Sequence, residues 1–443
     1  MRNGSKRTIE QRLLGLLLLV GLAVALAAAA APGPEAGERG RPVVVHAGQL
    51  LDVRTGELHR DVTILIRDGR IVAVGRRVRQ PADAEVIDLS DATVLPGLID
   101  VHTHLTYPHD KFGYEGLGLS VARRALYGAV NAERVLLAGF TTAREVGAGG
   151  FADVALREAI NEGDLPGPRL LVAGPSLGIT GGHCDNNLLP AEWNHRAEGV
   201  ADGPWAVRTQ VRENIKYGAD VIKFCATGGV LSRGDDPNAT QYTLEEMQAL
   251  VEEAHKLGRR VAAHAHGTEG ISLAIRAGVD SIEHCTLVDE EGLALLRRHN
   301  TYMVPTVYAL DFILEEGETT GIPDYSLQKA RELKDARDRA FRVAFSTPGI
   351  NIAFGTDTAV FPHGLGGREF GRLVDLGLDP LRAIQAATTV AAALLGLEDE
   401  IGTLEPGRRA DLIAVRGNPL EDIRVLENVL FVMKDGEVYK NEF

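Results

Sequence analysis

Cysteine is scarce in this chain of 443 residues: Cys184, Cys225 and Cys285 are the whole supply. An odd and sparse set excludes a disulfide framework as the basis of the fold. The three are expected to be small buried residues. Aromatics make up 5% of the chain, too few for base-stacking surfaces. Basic residues are outnumbered, 47 Lys and Arg against 61 Asp and Glu, for a net charge of -14. That balance excludes nucleic acid as a natural partner. No segment repeats at a solenoid or propeller period. No Gly-rich phosphate turn follows an early strand, which argues against an open doubly wound sheet. What remains is an ordinary globular composition, 45% hydrophobic and 24% charged, with length for two or three domains or one large α/β barrel.

Long apolar runs are also missing, with one exception. Arg2, Lys6, Arg7 and Arg12 precede a continuous apolar stretch, Leu13 to Ala31, that ends in alanines before Pro32. This pattern is that of a secretory signal peptide over residues 1–31, with the mature chain starting between about residue 28 and residue 36. The rival is an uncleaved anchor, because the run approaches the roughly 20 residues that span a bilayer. After cleavage no membrane association is expected. The protein would be secreted or periplasmic.

Residues 32–41 are a Pro/Gly/Glu linker. Residues 42–97 and 399–443 share one texture of short β-runs, such as Val62–Ile66 and Ala410–Val415, broken by turn signals at Asp68-Gly69 and Asp435-Gly436. The two ends are expected to pair into a small β-sandwich. Between them, residues 98–398 alternate. Strands are expected at Leu98–His104, Thr141–Val146, Arg169–Ala173, Val221–Cys225, Val261–His266, Ser281–Cys285, Tyr302–Val307 and Asn351–Asp357. Helices are expected between them at 121–138, 151–162, 205–217, 244–257, 270–277, 290–298 and 326–346, with a last one at 380–395. Eight strands, each followed by a helix, is the count of a (β/α)8 barrel, which carries its chemistry at the C-terminal strand ends.

The first of those strand ends is the most telling. Leu98, Ile99 and Val101 read as buried strand, and His102 and His104 follow at i, i+2, on one face. Two imidazoles leaving a strand together are a metal-ligand pair. Lys223 lies inside the apolar fourth strand, where lysine is almost never buried without purpose. Carbamylation by CO2 would turn that cation into an anion able to bridge two ions. His264 and His266 end the fifth strand, His284 the sixth, and Asp357 the eighth. His-x-His, Lys, His, His and Asp at five strand ends suit two divalent ions of zinc type. Paired ions activate water and polarise a carbonyl.

That order of ligands resembles the amidohydrolase superfamily, as do the stretches VLPGLIDVHTHL (94–105) and GTLEPGRRADLIAV (402–415). Residues 228–267, GGVLSRGDDPNATQYTLEEMQALVEEAHKLGRRVAAHAHG, resemble the imidazolonepropionase-like branch that contains metal-dependent Xaa-Pro dipeptidases. The resemblance implies two ions held by His102, His104, Lys223, His264, His284 and Asp357, with Asp357 as general base. It favours His264 over His266 as fifth-strand ligand by the twenty-residue step to His284; the reverse assignment stays open. His266 then neighbours the substrate. Further substrate candidates are Tyr242, which resembles a tyrosine meeting the substrate carboxylate, His183 in the long loop 178–203, His363 after the eighth strand, and Arg233. The cysteines are not needed as nucleophiles.

The implied activity is hydrolysis of an amide bond in a small molecule, a dipeptide of Xaa-Pro type or an N-acyl amino acid. Rivals are an imidazolonepropionase-like cyclic amidase, a lactone or phosphotriester hydrolase, and a scaffold without catalysis. The export signal speaks against the first and the filled ligand set against the last. Homo-oligomerisation stays open.

Overall fold

The computed structural model describes residues 41–443. The expected signal peptide and nearly all of the linker lie outside the described residues. Among those described, no helix is long and apolar enough to cross a membrane.

The first four strands are β1 (Val43–Leu51), β2 (Leu58–Arg67), β3 (Arg70–Gly75) and β4 (Glu85–Pro96); the last three are β12 (Leu412–Val415), β13 (Phe431–Lys434) and β14 (Glu437–Asn441). They form one seven-stranded sheet in the order β14-β13-β12-β4-β1-β2-β3. The two ends of the chain meet where β12 runs antiparallel to β4, with Leu412 opposite Pro96 and Ile413 opposite Leu95. Period-2 alternation sorts the side chains by face. Leu412, Ala414, Phe431 and Met433 pack with Val45, Ile64 and Leu89 in one core. Their neighbours Ile413, Val415 and Val432 join the main core on the other face.

The middle of the chain holds parallel strands. β5 (Leu98–Thr103), β6 (Phe140–Glu145) and β7 (Arg169–Val172) form a three-stranded sheet; β8 (Val221–Cys225), β9 (Arg260–Ala265), β10 (Ser281–His284) and β11 (Tyr302–Val304) form a four-stranded one. A parallel bridge from Leu177 to Phe224 links the two sheets. At the other side, Ile352 bridges to Met303, and Thr358 bridges to Thr103 of β5.

The helices are α1 (Tyr114–Leu117), α2 (Val121–Leu137), α3 (Ala152–Asn161), α4 (Pro204–Lys216), α5 (Leu244–Lys256), α6 (Thr268–Ala277), α7 (Glu290–His299), α8 (Val307–Thr320), α9 (Asp324–Ser346), α10 (Arg368–Asp375), α11 (Pro380–Ala386) and α12 (Thr389–Leu395). α5 begins with a full capping box, the Thr243 hydroxyl on the Glu246 N–H and the Glu246 carboxylate on the Thr243 N–H.

Three expectations need correction. The eighth segment, Asn351–Asp357, is no regular strand: it is extended chain held by single bridges and by bonds such as Val101 N–H to Phe354 O, 2.9 Å. Gly355 lets it press against β5, since a Cβ there would stand 2.7 Å from the His102 Cβ. The seventh strand stops at Val304. Thr306 turns left-handed at φ 44°, and a helix absent from the sequence reading, α8, begins at Val307. The Glu369 carboxylate accepts the N–H groups of Val307 and Tyr308 at 2.8 and 2.6 Å, satisfying donors that a helix start leaves open. The last expected helix breaks into α11 and α12 at Thr388, whose φ and ψ of -134° and -95° are not helical.

Candidate active site

β5 ends in a frame of buried carboxylates. Asp100 Oδ1 accepts the His102 N–H and the Thr356 N–H, both at 3.1 Å, while its Oδ2 takes the Thr356 hydroxyl at 2.6 Å. This stitches the eighth segment to β5. Glu145 accepts the Leu105 N–H at 2.6 Å and so fixes the chain just past His104. Asp357 then stands opposite both histidines. Its Oδ1 lies 3.4 Å from His102 Nε2 and 3.5 Å from His104 Nε2. Asp357 itself is left-handed at φ 60°, as is His284 at φ 67°. Such conformations in non-glycine residues persist only where surrounding contacts enforce them, and they concentrate at functional sites.

The other imidazoles converge on the same space. Ligand nitrogens of His264, His266 and His284 lie within 4.8 Å of one another, and one ligand atom each from His102, His284 and Asp357 does likewise. Most of these rings have one nitrogen engaged from behind. His102 Nδ1 meets Glu283 Oε2 at 2.8 Å, His104 Nδ1 the Gly147 carbonyl at 3.3 Å, His266 Nδ1 the Thr286 hydroxyl at 2.6 Å and His284 Nδ1 the Thr306 hydroxyl at 2.8 Å. For each of these four, Nε2 remains. His264 is turned round: its Nε2 meets the Gly228 carbonyl at 3.2 Å, leaving Nδ1. Outer partners of this kind fix tautomer and orientation in metal-binding histidines.

The electrostatics suit cations that are not protons. Burial pushes His104 down to about 4 and His266 to about 3, and it holds His264 and His284 well below the usual imidazole range. The rings are therefore neutral ligands at pH 7. Burial also lowers Lys223 to about 8, against the pull of Glu283 and Asp357. A lysine so lowered offers a larger neutral fraction than an ordinary lysine, and the neutral amine is the form that carbamylation requires. Burial works against the charge on Asp357, but its bond to His102 and the electrostatic influence of the neighbouring His102, His104 and Lys223 side chains hold it below the ordinary carboxylate value. Neutral imidazoles, a carboxylate and a softened lysine around one space form a donor set that fits divalent ions.

The remaining candidates part company. His183 comes in from the loop after β7 and stacks on His264, ring centroids 4.2 Å apart. His363 bonds the His104 carbonyl through Nε2 at 3.2 Å, supporting β5 from behind. Arg233 is exposed and lines an open cavity of about 510 Å³ with Gly181, Asn187, Leu188, Leu189, Pro190 and Gly234. None of the clustered histidines lines that cavity; Arg233 connects it to Ser232, beneath His183. Tyr242 is not brought to the cluster. It is buried in the core, its ring 6.0 Å from Phe224 and its hydroxyl donating to the Ala201 carbonyl at 3.0 Å. Strand alternation explains this: Phe224 faces away from the side that Lys223 faces, and Tyr242 packs on Phe224.

The cysteines also need correction. Cys184 and Cys225 are joined by a disulfide, their Cα atoms 6.0 Å apart. The bridge at Leu177 lays the following loop beside β8, close enough for the bond. Cys285 is free and buried, its thiol pushed up by burial and by Glu283. It is no nucleophile.

Several site residues escaped the sequence reading: Glu283, Arg144, Asp100, Thr286 and Thr306 behind the histidines, and Ser232, Asp235 and Lys329 behind His183. Glu283 had a signal, a carboxylate inside an apolar strand beside His284. Arg144, among the largest fully buried side chains, had the same signal within β6.

A cluster of imidazoles and a carboxylate that could hold a metal ion sits at the C-terminal ends of parallel strands, and the chain belongs to the amidohydrolase family, whose profile matches residues 93–439. It is an enzyme that hydrolyses C–N bonds, in a family that acts on small molecules and generally uses divalent metals. The ochratoxinase of Aspergillus niger is 35% identical over 431 residues, covering 91% of this chain and 88% of that protein. The crystal structure of a Xaa-Pro dipeptidase with methionine in its active site superposes with a TM-score of 0.85 at 39% identity, covering 90% of this chain and all of that one. A prolidase complexed with N-methylphosphonate-L-proline gives 0.83 at 33% identity, with 90% and 100% coverage.

Proposed function

We propose that this chain is an exported dipeptidase of Xaa-Pro type, or a hydrolase of closely similar N-acyl amino acids. The observation that carries the reading is Asp357 Oδ1 set between the Nε2 atoms of His102 and His104, with three further imidazoles and Lys223 around the same space. Likeness to a Xaa-Pro dipeptidase over 90% of the chain supplies the substrate class. In this reading the two parallel sheets and the eighth segment act as one (β/α)8 barrel over residues 98–398. Residues 42–97 and 399–443 act as its β-sandwich companion. Residues 1–31 direct export, and a disulfide at Cys184–Cys225 suits the oxidising compartment that export reaches.

His102, His104 and Asp357 would hold one divalent ion, zinc in the simplest case, and His264 and His284 a second. Lys223, as a CO2-derived carbamate, would bridge them. Bound there, two ions supply an activated water and polarise the amide carbonyl. The rest is the work of the chain. Asp357 takes the proton of the attacking water at its carboxylate and delivers it to the leaving nitrogen. Glu283 keeps the Nδ1 proton of His102 turned outward, so Nε2 stays a ligand. His266 and His183 border the substrate.

The test is a library of dipeptides and N-acyl amino acids offered to the purified protein. Turnover of Xaa-Pro or N-acyl substrates, lost to a chelator and restored by zinc, is expected, with close to two ions per chain. Full activity with one ion would sink the binuclear part. A metal-loaded protein inert to the whole library would sink the substrate class.

A further inference from the structure

Two leucines next to the imidazole cluster are left half-buried, and the chemistry above does not use them. Leu287 donates its N–H to the His266 carbonyl at 2.9 Å and lies three residues past His284. Leu231 lies three residues past Gly228, whose carbonyl meets His264 Nε2 at 3.2 Å. Lys329 Nζ donates to the carbonyls of Gly229 and Ser232 at 2.9 and 2.8 Å, so the chain is pinned on both sides of Leu231.

Both leucines pack against one apolar cluster that includes Val230, Tyr308, Phe312, Val360 and Phe361, and half-buried Phe112 from the loop after β5 packs there too. This cluster hangs from the segments of the site itself. Val360 donates its N–H to the Asp357 carbonyl at 3.2 Å, and Tyr308 follows the turn whose Thr306 hydroxyl bonds His284. No residue of the cluster carries a charge. Charged residues on the same segments turn to partners of their own, Asp311 to Arg337 at 2.6 Å and Asp235 to Lys329 at 2.8 Å, while Arg233 lines the outer cavity. Binding sites for small molecules are mostly apolar walls around a few fixed polar groups. Here the polar groups are the imidazoles and Asp357, and the wall is this cluster.

The wall also has a side. In the reading above Asp357 hands a proton to the leaving nitrogen, so the leaving group lies toward Asp357. Val360, three residues past Asp357, is buried beneath the surface. The leucines that stay open belong instead to the segments of His264 and of His266 and His284. The open apolar surface therefore serves the acyl side of the scissile bond.

We propose that Leu231 and Leu287 are specificity-determining residues, forming the wall against which the side chain of the substrate's acyl residue packs, so that large apolar side chains are selected there over glycine and over acidic ones. This rests on the reading of the cluster as a Xaa-Pro dipeptidase site and adds the class of Xaa. An acidic side chain would lose its water against the wall and find no partner in exchange.

The test holds the leaving group constant. Leu-Pro, Gly-Pro and Asp-Pro are offered to the zinc-loaded protein, and kcat/KM for Leu-Pro should exceed that for Gly-Pro by at least about tenfold, with Asp-Pro the poorest. In Leu231→Ala and in Leu287→Ala the Leu-Pro to Gly-Pro ratio should fall by about tenfold or less, since each removes only part of the wall. Leu231→Lys should raise Asp-Pro relative to Leu-Pro, a gain that misfolding cannot produce. Equal rates for Leu-Pro and Gly-Pro, or a ratio unchanged in both alanine variants, overturns the proposal while leaving the dipeptidase reading intact. Calorimetry of the same protein with L-leucine and with glycine reads the wall without turnover. If no peptide is cleaved but leucine binds more tightly than glycine, and loses that preference in Leu231→Ala, the dipeptidase reading fails and the apolar wall stands. Leucine binding no tighter than glycine in a protein that cleaves nothing overturns both.

Discussion

Two histidines of this site are held by the same device built in two different places. His102 Nδ1 meets Glu283, and Glu283 meets the Arg144 guanidinium at 2.8 Å, all three fully buried on parallel strands. His183 Nδ1 meets Ser232, then Asp235, then Lys329, all on loops or at a helix start and half-buried. On the strands, backbone ladders already fix where each group stands. Arg144 even returns a bond to the Val101 carbonyl of β5. On the loops nothing is fixed in advance, so more groups are needed: a serine relay, a lysine bonding three acceptors and a disulfide at the next residue, Cys184. The strand device can hold a ligand rigid, and the loop device can hold a ring that must meet varied substrates.

The comparison breaks most sharply at the strand side. Asp357→Asn keeps an oxygen near His102 and His104 but cannot take a proton. We expect kcat to fall by about 10²–10⁴-fold with most of the metal retained; metal analysis and steady-state rates on one preparation decide it. Lys223→Ala should release at least one ion, and short carboxylic acids in solution should restore part of the activity. An alanine variant with two ions and near-normal turnover would make Lys223 an ordinary buried lysine.

Glu283→Gln comes next. It removes the anionic acceptor from His102 and leaves the buried Arg144 without its counter-charge. Outer partners of ligating histidines are typically worth about 10–100-fold in metal affinity or activity. A loss in that range, with lowered thermal stability, is expected by metal titration and calorimetry. An unchanged metal affinity would mean that His102 is oriented by the backbone alone.

How much of this was legible follows the same division. That His102, His104, Lys223, His264, His284 and Asp357 come together is legible in the sequence, because strand alternation places side chains by counting. The relay of His183 is illegible that way. Lys329 reaches Gly229 across a hundred residues, from α9. Nothing local marks it among solvated helix lysines. Tyr242 shows the opposite failure, since its motif neighbourhood suggested the site while alternation at Phe224 put it in the core. The left-handed turn at Thr306 hid α8, because the largely apolar run from Tyr302 to Val307 reads as one strand.

On the loop side the effects should be smaller. Reduction of Cys184–Cys225, or Cys184→Ala, frees the chain beside His183. A loss of about 2–4 kcal/mol in stability is expected, with kcat/KM lowered by about tenfold or less and metal content unchanged. Thermal melts and metal analysis with and without reductant check this. Metal loss on reduction would mean that the loop bond also holds β8 and Lys223 in place.

The effect least direct on the site sits between the two devices, at Glu369. Its carboxylate receives the Val307 and Tyr308 N–H groups and so steadies the turn whose Thr306 hydroxyl bonds His284. Burial raises Glu369 from the ordinary value of 4.5 to about 8, although the two N–H bonds favour the charge. The sign follows from linkage. The folded state binds this proton more tightly than the unfolded chain does, so the group's contribution is full below pH 4.5 and is lost as pH rises toward about 8. The slope from one such group is at most about 1.4 kcal/mol per pH unit. Glu369→Gln has no proton to lose. It should be less stable than the parent at pH 5, because one amide oxygen serves two donors less well. The difference should shrink steadily toward pH 8. Calorimetric melts of both proteins from pH 5 to 8.5 at constant salt measure it. Parallel curves would show that the carboxylate is ionised throughout, and that the start of α8 stabilises its charge more than burial opposes it.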